Sequence, residues 1–148
     1  MIKKVLVAVD GSENSLRALN FALDLAEKYR ASVLILNVFQ LPAMYSSPDD
    51  PDVYSSSRAA FVRDLQRLHH ESLAKASAKA RRLKPDLEVD AKLKEGEPAA
   101  QIVETADEGG FDVIVVGHRG MGRFSEVFLG GVSERVAHMA KCAVVIIK

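Results

Sequence analysis

Glycines and arginines cluster after an apolar run late in the chain, in the segment GHRGMGRFSEVFLGG at residues 117–131. Glycine has no Cβ, so the oxygens of a phosphate can approach its backbone N–H group closely. Arginine side chains can add charge-assisted hydrogen bonds to the same anion. The residues with these properties are Gly117, Arg119, Gly120, Arg123, Gly130 and Gly131. The segment therefore indicates an anion site, with turns and helix packing as the alternative use of its glycines.

Two common phosphate-binding motifs do not fit this segment. A Walker A loop would need Lys-Ser or Lys-Thr after Gly122, where the chain has Arg123-Phe124. A dinucleotide fingerprint would need a third glycine at Ser125, and it would follow the first strand of the fold rather than the fourth. We therefore reject both motifs.

Apolar runs and helical periods alternate along the chain. Continuous apolar runs predict buried strands at 5–9, 32–38, 111–116 and 143–147, and a weaker alternation predicts a strand nearer an edge at 87–93. Helices are predicted after Ser12 and over 57–83, 98–108 and about 131–140. The alternation predicts an α/β fold in one domain, residues 1–148: an open five-stranded parallel sheet with helices on both faces.

The predicted sheet has one preferred place for a ligand. Open parallel sheets bind ligands beyond the carboxyl ends of their strands, where the direction of the connections reverses. With the strand order 3-2-1-4-5, the first and fourth strands end beside that point, at Asp10 and Gly117. The helix that begins near Gly130 would direct its free N–H groups, with about half a positive charge, toward the same place.

One segment, LPAMYSSPDDPDVYSSS at residues 41–57, does not fit this alternation. It contains three of the five prolines, five serines and no helical period. Connections of this length without regular structure are usually disordered or act as lids. We expect a mobile surface excursion, and because it leaves the carboxyl end of the second strand, it could fold over a ligand there.

The composition limits the classes of partner and compartment. Twenty basic and twenty acidic residues cancel, so no net field attracts nucleic acid or an anionic membrane. The single cysteine excludes an internal disulfide and suits a reducing compartment. No apolar run approaches the ~20 residues that a membrane span needs. The composition predicts a soluble, cytoplasmic protein without a nucleic-acid or membrane partner.

The glycine spacing Gly117-x2-Gly120-x9-Gly130 matches the ATP-binding signature of the universal stress protein family. The flanking segments match the same family: VLVAVDGSENSLRAL near the start, GEPAAQIVETADEGGFDVIVVGHRG before the glycines, and GGVSERVAHMAKCAVVIIK at the end. Together and in this order the motifs are highly specific. The chain resembles a single-domain universal stress protein of the ATP-binding branch, whose fold is that of the adenine-nucleotide α-hydrolase-like proteins.

The resemblance implies a site for ATP, with Mg²⁺ or Mn²⁺ as an optional companion held by the phosphates. In the family, the aspartate that ends the first strand meets the ribose, which here implies Asp10. Adenine would contact Ala8, Val9 and the backbone of Val38, and the ribose would lie beside Val116 and Gly117. The triphosphate would be held by Gly120, Gly130, Gly131, Val132 and Ser133, with Arg119 and Arg123 as further candidate contacts.

The chain departs from the family pattern at two positions. Gly131 stands where the family has Ser or Thr, so a hydroxyl contact to the phosphates is lost while the N–H group remains. Ser133 could partly replace it. Ala143 stands where the family has proline, directly after Cys142 and at the start of the last strand. The family commonly dimerises through this strand, so we expect a two-fold homodimer in which residues 143–147 pair antiparallel with their copies.

Three functions fit these observations. The first is a nucleotide-dependent regulatory protein in a stress response that is not an enzyme, and its occupant is ATP, AMP or another adenine nucleotide. The second is a slow ATPase. The third is a nucleotide-free interaction module of the same fold. We expect His118 and the adjacent pair His69-His70 to be solvated, because no partner is spaced to orient a base or to complete a metal site.

Overall fold

Strands and helices alternate along the chain in a computed structural model that describes residues 1–42, 55–118 and 131–148. The strands are β1 (Lys4–Ala8), β2 (Ser32–Phe39), β3 (Val89–Glu95), β4 (Val113–Gly117) and β5 (Ala143–Ile147). The helices are α1 (Glu13–Tyr29), α2 (Ser55–Leu83), α3 (Pro98–Gly109) and α4 (Val132–Met139).

The strands form one parallel sheet in the order β3-β2-β1-β4-β5, which confirms the predicted topology. β1 is central, and its residues Val5, Leu6 and Val7 are fully buried because helices cover both faces. The chain leaves β1 toward β2 on one side and later returns to β4 on the other. The carboxyl ends of β1 and β4 therefore flank the point at which the connections reverse.

Each face of the sheet has its own apolar core. Val7 and Ile35 pack with the inner faces of α1 and α2. Leu6, Leu36 and Ile114 pack with α3 and α4. Burying one such side chain contributes roughly 1.5–3 kcal/mol, so the two cores hold the helices in fixed positions on the sheet.

Several predicted boundaries differ from the structure. β1 is Lys4–Ala8 rather than 5–9, and β4 is Val113–Gly117 rather than 111–116. The edge strand runs over Val89–Glu95 rather than 87–93, because Leu87 still belongs to a turn and donates its N–H to the carbonyl of Lys84 at 3.2 Å. Residues 55–57 of the predicted excursion are the first residues of α2. Residues 43–54 lie outside the described part, so the predicted mobility of the excursion stays a prediction.

The last strand lies at an edge of the sheet, as predicted. Among the described residues, β5 pairs with β4 alone, and Ile146 is 36% exposed. Within the same residues, no helix has the length and hydropathy that a membrane span requires.

Candidate functional site

A crevice opens at the carboxyl ends of β1, β2 and β4, on the side of the sheet covered by α3 and α4. Its cavity volume is about 70 Å³, and its mouth is open to solvent. Its lining residues are Ala8, Val9, Asp10, Ser12, Ser15, Leu36, Val38, Pro98, Ile102, Val116, Gly117 and Val132. Most of these side chains are apolar, and Asp10 is the only charged residue among them.

The structure brings together many of the residues that the sequence singled out. The predicted residues that line the crevice are Ala8, Val9, Asp10, Val38, Val116, Gly117 and Val132. Gly131 and Ser133 lie on either side of Val132 in the chain, at the start of α4, and Ser133 is buried. Arg119, Gly120, Arg123 and Gly130 lie outside the described residues.

Asp10 is held in a tight turn between β1 and α1. Its carboxylate accepts a hydrogen bond from the N–H of Ser12 at 2.9 Å, and its own N–H donates to Oγ of Ser15 at 3.3 Å. Gly11 between them has φ of +85°, a conformation that favours glycine. The Asp10 side chain is thus an acceptor at a fixed place on the crevice rim, suited to donor groups such as sugar hydroxyls.

Gly117 is required by packing against α1. A Cβ at this position would lie 2.6 Å from the carbonyl carbon of Asn14 and 2.8 Å from the backbone nitrogen of Ser15. The Asn14 side-chain amide also donates to the carbonyl of His118, and the N–H of His118 donates to the carbonyl of Ile147 at 2.6 Å. The first turn of α1 therefore fixes the path by which the chain leaves β4.

The two predictions for exposed histidines were wrong in part. Nδ1 of His118 is buried, without a hydrogen-bond partner among the described residues. His69 is half-buried, because α2 packs its ring 5.7 Å from the ring of Phe39 and places Nδ1 at 2.7 Å from Oδ1 of Asn37. Burial lowers the pKa of His69, against the opposing attraction of the Asp10 carboxylate. His70 is exposed, as expected.

The N-terminus of α3 already holds a carboxylate. Glu97 is the N-cap residue, and its side chain accepts hydrogen bonds from the N–H groups of Ala99 at 3.2 Å and Ala100 at 2.8 Å. Burial raises the pKa of Glu97, but these hydrogen bonds and the nearby Arg135 outweigh it and leave the pKa below its ordinary value. This helix end is therefore saturated by a group of the chain itself.

At the N-terminus of α4, the described residues provide no such group. The N-cap residue is Gly131, and no side chain of residues 1–42, 55–118 or 131–148 makes a cap hydrogen bond there. The N–H groups of a first helical turn have no partner within the helix, and they carry partial positive charge. Since Val132 lines the crevice, this turn lies at its edge, and the N-terminus of a helix is suited in general to an anion. A Cβ on Gly131 would meet no described residue within 4 Å, so packing within the described part of the chain does not require this glycine.

The sequence did not identify several lining residues. These are Ser12, Ser15, Leu36, Pro98 and Ile102. Leu36 could have been found from Val38, since residues two apart on a strand share a face. Pro98 and Ile102 could have been found from the start and inner face of the predicted helix over 98–108. Among the described residues, no group of three or more His, Cys, Asp or Glu side chains could hold a metal ion.

A profile of the universal stress protein family matches residues 1–148. The universal stress protein YxiE of Bacillus subtilis (strain 168) is 32% identical over 150 residues, which cover 100% of each chain. The universal stress protein MJ0531 of Methanocaldococcus jannaschii is 29% identical over 148 residues, which cover 100% of this chain and 83% of the relative.

Solved structures of universal stress proteins have the same fold. One, in complex with cAMP, aligns with a TM-score of 0.74 at 26% identity, over 99% of this chain and 97% of the neighbour. Another, from Archaeoglobus fulgidus in complex with dAMP, aligns with a TM-score of 0.64 at 27% identity, over 100% and 98%. With the family profile spanning its whole length, the chain belongs to the universal stress protein family.

Proposed function

We propose that this protein binds an adenine nucleotide, ATP foremost, in the crevice and acts as a nucleotide-dependent regulatory protein in a stress response. The observation that carries the proposal is the pairing of an apolar crevice at the reversal point of the sheet with the open N-terminus of α4 at its edge. Asp10 provides an acceptor on the rim. Two family members with this fold are in complex with cAMP and dAMP, which share the adenine base.

Each part of the nucleotide would contact a different wall of the crevice. The apolar side chains of Val38 and Ile102 suit the faces of a base, and Asp10 suits the ribose hydroxyls. The phosphates would reach the first turn of α4, because the corresponding turn of α3 is filled by Glu97. A divalent cation, Mg²⁺ or Mn²⁺, would be bound through the phosphates.

A regulatory role is favoured over catalysis by the chemistry of the lining. Asp10 is the one ionisable side chain among the described lining residues, and an acceptor for ribose hydroxyls is not placed to activate water at a terminal phosphate. A slow ATPase remains the second candidate. Turnover measured with protein and ATP at equal concentrations separates the two, since a regulator releases the ATP unchanged.

Calorimetric titration with ATP tests the binding proposal. Wild type should bind ATP. If a side chain at position 130 excludes the phosphates, Gly130→Val should bind ATP at least tenfold more weakly, because one charge-assisted hydrogen bond is lost. Gly131→Ser is the comparison variant: its Cβ would meet no described residue within 4 Å, so it should bind ATP as tightly as wild type or more tightly. If Gly130→Val binds as well as wild type, the glycines are structural. If wild type binds no adenine nucleotide at millimolar concentration, the interaction-module function is correct.

We also propose that two copies associate through residues 143–147. β5 offers an unpaired edge among the described residues, and Ile146 exposes apolar surface beside it. The cytoplasmic location and the absence of a nucleic-acid partner stay predictions from composition.

A further inference from the structure

Helices α3 and α4 lie side by side with both N-termini at the crevice, and two ion pairs join the α3 and α4 segments. At the crevice end, Nη1 of Arg135 lies 2.5 Å from Oε1 of Glu97, and Nη2 lies 3.1 Å from Oε2. At the far end, Nζ of Lys141, just after α4, lies 2.9 Å from Oδ2 of Asp107. The Arg135–Glu97 pair is bidentate and has a defined geometry, whereas the Lys141–Asp107 pair is a single contact.

Each carboxylate oxygen of Glu97 accepts two hydrogen bonds. Oε1 accepts from the N–H of Ala99 and from Arg135, and Oε2 accepts from the N–H of Ala100 and from Arg135. The first turn of α3 and the Arg135 guanidinium are therefore joined through one rigid group. A displacement of Arg135 would break two hydrogen bonds to the carboxylate that caps α3.

Arg135 is in turn fixed to the open end of α4. Its backbone N–H donates to the carbonyl of Gly131 at 3.0 Å, which closes the first turn of the helix. The side chain thus ties that turn to Glu97, beside Pro98 on the crevice wall. This contact therefore adds to the core packing of Val136 in joining the first turn of α4 to the crevice wall.

We propose that Arg135 is a positioning residue for the phosphates of the nucleotide, acting through Glu97 to hold the first turn of α4 at the edge of the crevice. The inference rests on the proposed function and adds to it a residue outside the glycine motif. Arg135 does not line the crevice. Its effect should grow with the number of phosphates, so adenosine binding should be insensitive to Arg135 and ATP binding sensitive.

The alternative is that Arg135 attracts the phosphates directly by its charge. The two mechanisms give opposite results in Glu97→Gln, which keeps an oxygen for the cap but removes the charged partner of Arg135. If Arg135 acts as a charge, removal of the nearby carboxylate should strengthen ATP binding. If Arg135 positions α4, the same change should weaken ATP binding by about tenfold, the lower end of the loss for one charge-assisted hydrogen bond.

The experiment is calorimetric titration of ATP and of adenosine into wild type, Glu97→Gln, Arg135→Lys and the far-end control Asp107→Asn. Positioning predicts weaker ATP binding in the first two variants, unchanged adenosine binding and no effect in the control. Arg135→Lys keeps the positive charge but cannot make the bidentate contact with Glu97. Unchanged ATP affinity in this variant would therefore overturn the proposal. Equal or tighter ATP binding by Glu97→Gln also overturns it.

Two further outcomes are separable. If wild type binds no ATP, the proposed function fails, and the positioning role fails with it. If wild type binds ATP and Asp107→Asn weakens it as much as Glu97→Gln, the ion pairs act on overall stability, and positioning is refuted. Urea unfolding midpoints of all four proteins provide the comparison. Arg135→Lys and Asp107→Asn alter ion pairs that are exposed to solvent and should change the midpoints little, whereas Glu97→Gln also loses one of its two cap hydrogen bonds and should lower the midpoint.

Discussion

A side chain at Gly117 should destabilise the fold, because β4 and α1 approach too closely to admit one. In Gly117→Ser the new Cβ would begin 2.6 Å from the carbonyl carbon of Asn14 and 2.7 Å from its oxygen. These distances are about 1 Å shorter than the ~3.5–4.0 Å at which nonbonded carbon atoms are comfortable. The obstructing atoms are backbone atoms, so α1 or β4 must move as a unit.

The expected loss follows from two opposing contributions. Inserting an atom into a packed interior typically costs about 1–3 kcal/mol, and a rigid backbone neighbour favours the upper part of this range. Replacing glycine also lowers the conformational entropy of the unfolded chain, which stabilises the folded state by about 0.4–1 kcal/mol. We therefore expect Gly117→Ser to lower the free energy of unfolding by about 1–2.5 kcal/mol, a large part of the roughly 5–15 kcal/mol typical of a domain.

Urea unfolding followed by circular dichroism measures this difference, and Gly131→Ser supplies the control. The same substitution there enters open space at an ordinary φ of −56° and provides an N-cap hydroxyl, so stability should stay equal or rise by a few tenths of a kcal/mol. Equal midpoints for Gly117→Ser and wild type, at unchanged slope, would refute the packing argument.

Three further predictions concern affinity, assembly and pH. Gly131→Ser, which restores the residue usual in the family, should bind ATP as tightly as wild type or more tightly in calorimetry; weaker binding would contradict the open geometry of this position. Ile146→Lys should convert a dimer to a monomer in sedimentation velocity, and a wild type that is already monomeric at tens of micromolar would disprove the interface. Because the folded pKa of His69 lies below the ordinary 6.5, the unfolded state takes up a proton first as the pH falls. Stability should thus be fully present above pH 6.5 and decline below it, with a smaller decline in His69→Gln; equal declines in urea midpoint would assign the effect to other groups.

The topology of the sheet could be predicted from the sequence, because buried parallel strands and amphipathic helices have distinct periods. The strand Val5–Val9 and the stripe of α1 both follow from local spacing, and the order of strands follows from the family motifs. The edge strand was shifted by two residues, since Leu87 alternates with its neighbours like a strand residue while its N–H closes a turn. Hydrogen bonds of this kind leave no mark on apolar periodicity.

The crevice was predicted at the correct end of the sheet, but the contacts that make particular residues necessary there were not predicted. Gly117 was interpreted as a close approach for a ligand, while the structure shows that its missing Cβ admits Asn14. The joining of Glu97 to Arg135 spans two helices, and no local pattern pairs them. His69 was expected at the surface because adjacent histidines cannot share a metal, yet the helix turns only one of them toward Asn37. Contacts between distant segments decide these features.

Nucleotide binding in the crevice can be measured by titrating ATP into the isotope-labelled protein and following its amide chemical shifts. Saturable shifts with one common dissociation constant are expected for the crevice amides of Val9, Val38, Gly117 and Val132. The amides of Ala31 and Asp112, before the opposite ends of the strands, should stay in place. Absence of shifts at millimolar ATP, or saturable shifts confined to the opposite end of the sheet, would contradict the account.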